Sequence, residues 1–225
     1  MDAIKSKERV KQHGEVFTPD SIVNDMLDLV EDSLNKDSLW KYIDSTYLEP
    51  ACGNGNFLVR ILDRKLNAVQ KLPKEQWELG LIRALSSIYA IDIQYDNVEE
   101  TKERLLELIK DGNTDILELE NKEKRGFNFI KYDLSSEIES IVKYILNNNI
   151  KVGNALNGMQ YDRAGKETTT PLVFSEYIWN NNMVVINLYY FNDLDTKIEE
   201  NSPLHYKSMT SVNTEYNDEA SFDDI

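Results

Sequence analysis

The run Leu48-Glu-Pro-Ala-Cys-Gly-Asn-Gly-Asn-Phe-Leu58 carries the residue types best suited to holding a small ligand. Gly53 and Gly55 stand two apart, where a turn with positive φ lets a ligand approach the backbone without a Cβ in the way. The amides at the start of the following helix can receive a carboxylate or a phosphate. Glu49, at the end of the preceding strand, can accept a hydrogen bond from an amine or a hydroxyl. A Gly-x-Gly pair alone is also what an ordinary turn uses, so the weight lies on the whole string. A second acid, Asp92, ends the apolar run Ser87-Ile-Tyr-Ala-Ile-Asp-Ile93. An acid in that place is where a Rossmann-like sheet reads a ribose; the lesser alternative is a helix cap. His13 and His205 are isolated, and no metal spacing is present. There is no Gly-Lys-Ser/Thr loop for a nucleoside triphosphate and no Gly-x-Ser-x-Gly nucleophile turn.

The elements that must position these groups alternate between strand and helix. Thr18-Pro19 opens a helix, with Thr as N-cap and Asp20 near the positive end, and Ile22, Val23, Met26, Leu27 and Val30 share one face. A short strand over 46–49 is broken by Pro50. A helix over 57–72 has a stripe of Leu58, Ile61, Leu62, Leu66 and Val69, and Pro73 stops it. A second helix is expected over 75–86, and a strand over 87–93 whose apolar character suits a parallel strand covered on both faces. A third amphipathic helix follows over 97–110. Beyond it the pattern gives a charged connection over 112–125, a strand over 127–132, a helix over 137–146, a short strand over 150–152 and a long β-branched and aromatic run over 183–191. This alternation predicts an α/β chain with a doubly wound, mostly parallel sheet, which binds ligands where strand carboxyl ends meet helix amino ends.

Composition narrows the class. The 225 residues are 41% hydrophobic and 29% charged, as in a globular chain. No apolar run approaches the roughly 18–20 residues of a spanning helix, and the N-terminus lacks the apolar core of a signal peptide. A single cysteine, Cys52, excludes an internal disulfide, and a cytoplasmic location is expected. Forty acids against twenty-five Lys and Arg give a net charge of −15, which opposes unaided binding to DNA. The acids crowd the segment 193–225, which is poor in large apolar residues and reads as a tail. The expected organisation is an N-terminal helical region over 1–44, a ligand-binding domain over 45–192 and that acidic tail.

The string Glu-Pro-Ala-Cys-Gly-Asn-Gly-Asn-Phe-Leu closely resembles the S-adenosylmethionine loop of the DNA adenine-N6 methyltransferases, in the branch of restriction–modification modification subunits. Two further stretches agree in order: His13-Gly-Glu-Val-Phe-Thr-Pro19 resembles the family's N-terminal element, and Tyr89-Ala-Ile-Asp-Ile-Gln94 its second strand. The resemblance spans roughly 12–104 and implies a Rossmann-like class I methyltransferase fold with S-adenosyl-L-methionine as cofactor. It places Phe17 and Thr18 at the methionine moiety, Glu49, Ala51, Gly53, Gly55, Asn56 and Phe57 around its amino-acid end, Asp92 on the ribose and Ile93 on the adenine. Ile150-Lys-Val-Gly-Asn-Ala-Leu156 resembles the third element, which puts Asn154 at the cofactor's adenine; Asp133 competes for that role.

The family's Asn/Asp-Pro-Pro-Tyr/Phe motif, which holds an adenine flipped out of the stack, is absent. None of the five prolines (Pro19, Pro50, Pro73, Pro171 and Pro203) neighbours another. Asn187 and Tyr190 are the nearest positional candidates for contacts to a target base, and no catalytic residue is assigned. The resemblance therefore implies an adenine methyltransferase-like protein that is incomplete or inactive alone and reaches DNA through a partner subunit. The alternative is a non-catalytic acidic protein that keeps the fold and binds a restriction–modification or other DNA-handling partner. Methylation of a protein or a small molecule is a third reading.

Overall fold

The computed structural model describes residues 6–13, 15–31, 38–111, 132 and 134–212. Three helices lead in: α1 (Lys7–His13), α2 (Asp20–Glu31) and α3 (Leu39–Ile43). Strand β1 (Tyr47–Glu49) then runs through the glycine turn into α4 (Asn56–Val69). Pro73 ends that stretch, and a single 3-10 turn (Lys74–Gln76) leads into α5 (Trp77–Ser86), which feeds β2 (Ile88–Asp92) and α6 (Tyr95–Asp111). Helix α7 (Ser136–Asn149) is capped by Ser135, whose hydroxyl accepts from the Ile138 amide at 3.3 Å, and delivers β3 (Ile150–Asn154). The expected connection over 112–125 and the strand over 127–132 fall outside the described residues, Tyr132 apart.

β1, β2 and β3 pair in parallel, with Glu49 opposite Ala90 and Asp92 opposite Val152. This register brings Glu49, Asp92 and Asn154 to one edge of the sheet, at the carboxyl ends of the strands. The parallel arrangement stops there. β4 (Met159–Tyr161) and β5 (Glu167–Pro171) extend the sheet antiparallel, giving five strands in the order β1-β2-β3-β4-β5. The expectation of a mostly parallel sheet is thus corrected to a mixed one. The links 155–158 and 162–166 hold four and five residues by the strand bounds, far fewer than a parallel crossover requires.

A second, antiparallel sheet follows: β6 (Val173–Asn180), β7 (Met183–Tyr190), β8 (Asp193–Glu200) and β9 (Leu204–His205), the last two both beside β7. Its inner face packs Val184 and Ile186 into the same apolar cluster as Ile141, Ile145 and Leu85. Tyr89 donates to the Ser175 carbonyl at 2.7 Å, Tyr177 to Asn149 Oδ1 at 3.2 Å, and the Trp179 indole to Ser86 Oγ at 3.2 Å. A 3-10 helix (Tyr206–Ser211) then buries Tyr206 and Met209 in that cluster.

The expected tail therefore does not begin at 193. Residues 193–212 are two strands and a helix turn, and the domain boundary at 192 falls inside a sheet. The charge of β8 lies on an exposed face, which an antiparallel strand tolerates. The anchoring apolar groups come later, at Tyr206 and Met209. The lead-in helices join the same core through Val23, Leu27 and Ile43. Among the described residues no helix is long and apolar enough to cross a membrane.

Candidate functional site

The turn between β1 and α4 is built on two left-handed residues, Gly53 (φ +52°) and Gly55 (φ +82°). A Cβ on Gly55 would meet the Thr101 side chain at 2.8 Å, so both conformation and space require glycine. A Cβ on Gly53 would meet the Phe17 ring at 3.2 Å, which places that ring over the turn. Phe17 is buried, although its neighbour Val16 is exposed.

Asp92 holds the turn from β2. Its Oδ2 accepts from the Gly53 amide and its Oδ1 from the Gln94 amide, both at 2.8 Å, with Asn97 Nδ2 at 3.4 Å from Oδ1. A carboxylate offers about four acceptor positions, so this one keeps capacity for a further donor. Burial pushes the Asp92 carboxyl above its usual range, against those hydrogen bonds. Glu49 is raised for the same reason, and its Oε1 accepts from the Ala51 amide at 3.3 Å. Two partly buried carboxylates at the strand ends thus make the site acidic and short of donors. That suits a ligand bringing hydroxyls or an ammonium group. Cys52 is buried, with its thiol pushed well up by desolvation, which leaves it inert as a nucleophile.

The N-terminal stretch is tied to this turn at two points. Asn56 Nδ2 donates to the Thr18 carbonyl at 3.0 Å, fixing the start of α2 against the start of α4. Glu15 accepts from Arg9 Nη2 and from Asn97 Nδ2, each at 2.7 Å, and Arg9 reaches Asp96 as well. Asn97 thus bridges Glu15 to Asp92, the acid that holds the glycine turn. From below, Thr101 Oγ1 donates to the Gly53 carbonyl at 3.1 Å, and Arg104 Nη1 to the Asn54 carbonyl and to Asn56 Oδ1.

Phe17, Thr18, Glu49, Ala51, Gly53, Gly55, Asn56 and Asp92 therefore gather around one turn. Phe57 packs its ring on the core behind it, and Ile93, half-buried, follows Asp92. Asn154 lies at the end of β3, on the same sheet edge, but its Oδ1 already accepts from the Leu156 amide at 2.9 Å. Its rival Asp133 lies outside the described residues.

Asn187 and Tyr190 lie in the second sheet. Both are within β7, paired with β6 and β8 on either side, and Asn187 is 1% exposed. Asn187 Nδ2 donates to Glu176 Oε2 at 3.1 Å across the ladder. Nothing ends the strand at Leu188 or Tyr189 to aim a carbonyl at a base.

Sequence reasoning did not find Glu15, Asn97, Thr101 or Arg104. Thr101 had a visible signal: it falls three after Val98 and four before Leu105, a polar residue on the apolar stripe of α6. Glu15, by contrast, offers no pattern, since Asn97, which joins it to the turn, is 82 positions away. Among the described residues no group of His, Cys, Asp and Glu could hold a metal. No family model, curated protein or solved structure matches this chain.

Proposed function

We propose that this chain is an S-adenosylmethionine-binding protein with a Rossmann-like methyltransferase domain of the DNA adenine-N6 type. It depends on a partner chain for the target base. The observation that carries the reading is the tie from Asp92 Oδ2 to the Gly53 amide, which joins the acid of the second strand to the turn of the first. That tie unites two of the sequence stretches that resemble the family, and Phe17 over Gly53 adds the third. In this reading Asp92 accepts from the ribose hydroxyls, Glu49 faces the ammonium group and the first turn of α4 receives the carboxylate.

Two observations favour dependence on a partner over methylation by the chain alone. Asn187 is a buried ladder residue of the second sheet and Tyr190 is the half-buried last residue of the same strand, and the chain carries a charge of −15. Transfer needs the target nitrogen in line with the cofactor methyl group, and a 1 Å error costs about 10²-fold. Phe17, the aromatic ring that lies against Gly53, is buried over the turn.

The test is calorimetry with S-adenosylmethionine, followed by transfer of labelled methyl groups to adenine in DNA. Binding without transfer by the isolated chain is the expected result. Robust transfer by the chain alone would overturn the dependence on a partner, and absence of binding would overturn the whole reading.

A further inference from the structure

The strand that leads into the glycine turn is the outermost strand of its sheet. Among the described residues β1 pairs with β2 alone, and the order β1-β2-β3-β4-β5 runs away from it on one side. The Tyr47 amide donates to the Ser87 carbonyl at 2.9 Å, and the register continues to Glu49 opposite Ala90. Main-chain groups of successive residues in a parallel strand turn to opposite sides, so the N–H and C=O of Leu48 face away from β2. The Leu48 side chain is 50% exposed, whereas Ala90, Ile91 and Val152 in the next two strands are buried. Open main-chain groups beside an exposed apolar side chain are what the addition of a strand requires.

Both ends of this edge are held in place. Ahead of it, the buried Lys65 ammonium donates to the Ser45 carbonyl at 2.6 Å and lies 5.2 Å from the centre of the Tyr47 ring. Beyond it, the Cys52 amide donates to the Ile91 carbonyl at 3.0 Å. An edge fixed in this way loses little freedom when another strand joins it.

We propose that β1 receives a parallel strand from a partner chain, added along the outward edge of Leu48. In a doubly wound sheet the ligand crevice lies where strands depart to opposite sides of the first strand. Here β2 occupies one side of β1, and the added strand supplies the other. Running parallel, it ends beside Glu49 and Gly53, which places the loop after it to bring groups that hold a target base. The proposal deepens the reading above and rests on its dependence on a partner. A second copy of this chain is disfavoured as the occupant, because it brings a further charge of −15, whereas a strand flanked by Lys or Arg is attracted.

The probe is a fluorescein-labelled peptide, Lys-Thr-Val-Ile-Val-Thr-Lys, titrated with the full chain and followed by fluorescence anisotropy without S-adenosylmethionine. Saturable binding is expected. A twin of equal charge, N-methylated at its three central residues, cannot donate to an edge and should bind about tenfold or more weakly. Leu48→Pro removes the outward N–H, leaves the bonds to β2 in place and suits an edge strand, so it should weaken the unmodified peptide about as much. If Leu48→Pro proves unfolded by circular dichroism, the two peptides on the parent decide. No saturable binding, equal affinity for the two peptides, or parent-like affinity in folded Leu48→Pro overturns the proposal. Self-association of the parent that Leu48→Pro abolishes, read by sedimentation, gives the edge to a second copy and overturns it too. With the cofactor left out, these results stand apart from the calorimetry above: a chain that takes the peptide but not S-adenosylmethionine keeps its open edge and loses the methyltransferase reading.

Discussion

The two sheets of this molecule are stabilised in different ways. The parallel strands β1–β3 are wrapped by helices, and Ile88, Ala90, Ile91, Ile150 and Val152 are almost wholly buried. The β6–β9 sheet is covered less completely: Val184, Ile186 and Leu188 are buried, while β8 carries Asp193, Asp195, Glu199 and Glu200 exposed. The ends of the parallel strands meet in one turn crossed by polar ties from Asp92, Asn56, Thr101 and Arg104. Side chains of the second sheet mainly serve to dock it. The parallel half positions the candidate site, and the antiparallel half completes the core against which it is built.

The largest test of this division lies at the end of the second region. Met209 is fully buried in the main core. Met209→Ala should cost about 2–5 kcal/mol, the range for a truncated core methionine, in urea denaturation. A loss under 1 kcal/mol would show that residues after 200 are an appendage after all. In the first region, Gly55→Ala combines a positive φ with a Cβ 2.8 Å from Thr101. It should cost about 1–3 kcal/mol and weaken any ligand at the turn. A stabilising effect would mean that the turn is loose.

A third test concerns the joint between the first region and its helices. Lys65 is 1% exposed and donates to the Ile43 and Ser45 carbonyls at 2.6 Å and to Ser87 Oγ at 2.7 Å. Desolvation lowers its pKa to about 7. Between that value and the unfolded lysine pKa, the unfolded chain binds the extra proton, so stability from this group rises with pH. From pH 7 to 8.5 the parent should gain about 1.5 kcal/mol relative to Lys65→Met, a difference that removes the variant's constant loss of hydrogen bonds. Parallel pH curves for the two proteins would refute the depressed pKa.

How far the sequence revealed this arrangement follows from the same contrast. The apolar β2 strand and the stripe of α4 announce themselves because burial on all sides demands apolar side chains at fixed periods. So does the glycine turn, whose chemistry is local. The strands Glu167–Pro171 and Asp193–Glu200 do not, because a half-exposed antiparallel strand is stabilised by its ladder and can carry Thr, Asp and Glu. Tyr206 and Met209 are two anchors in a polar stretch, too few to form a period. Around the turn, Gly53, Phe17 and Asp92 were legible as types. The bridge from Arg9 and Glu15 to Asn97 was not, since it joins residues more than 80 positions apart.

The smallest effect is expected in the second sheet. Asn187→Ala removes a side chain that donates to Glu176 Oε2, and whose Oδ1 is buried without a donor among the described residues. Cofactor affinity should stay within about twofold of the parent, because a neutral hydrogen bond contributes only about 1 kcal/mol and this one lies outside the turn. A large loss of affinity would join β7 to the binding site and erase the division between the two regions.

The central claim is most directly tested by titrating S-adenosylmethionine into the parent chain and into Asp92→Ala, with thermal unfolding to confirm that both are folded. The account predicts saturable one-to-one binding by the parent, weakened by about 1–3 kcal/mol in the variant, as expected for lost hydrogen bonds to a buried carboxylate. Equal affinities would place the ribose elsewhere, and no binding by the folded parent would contradict the account outright.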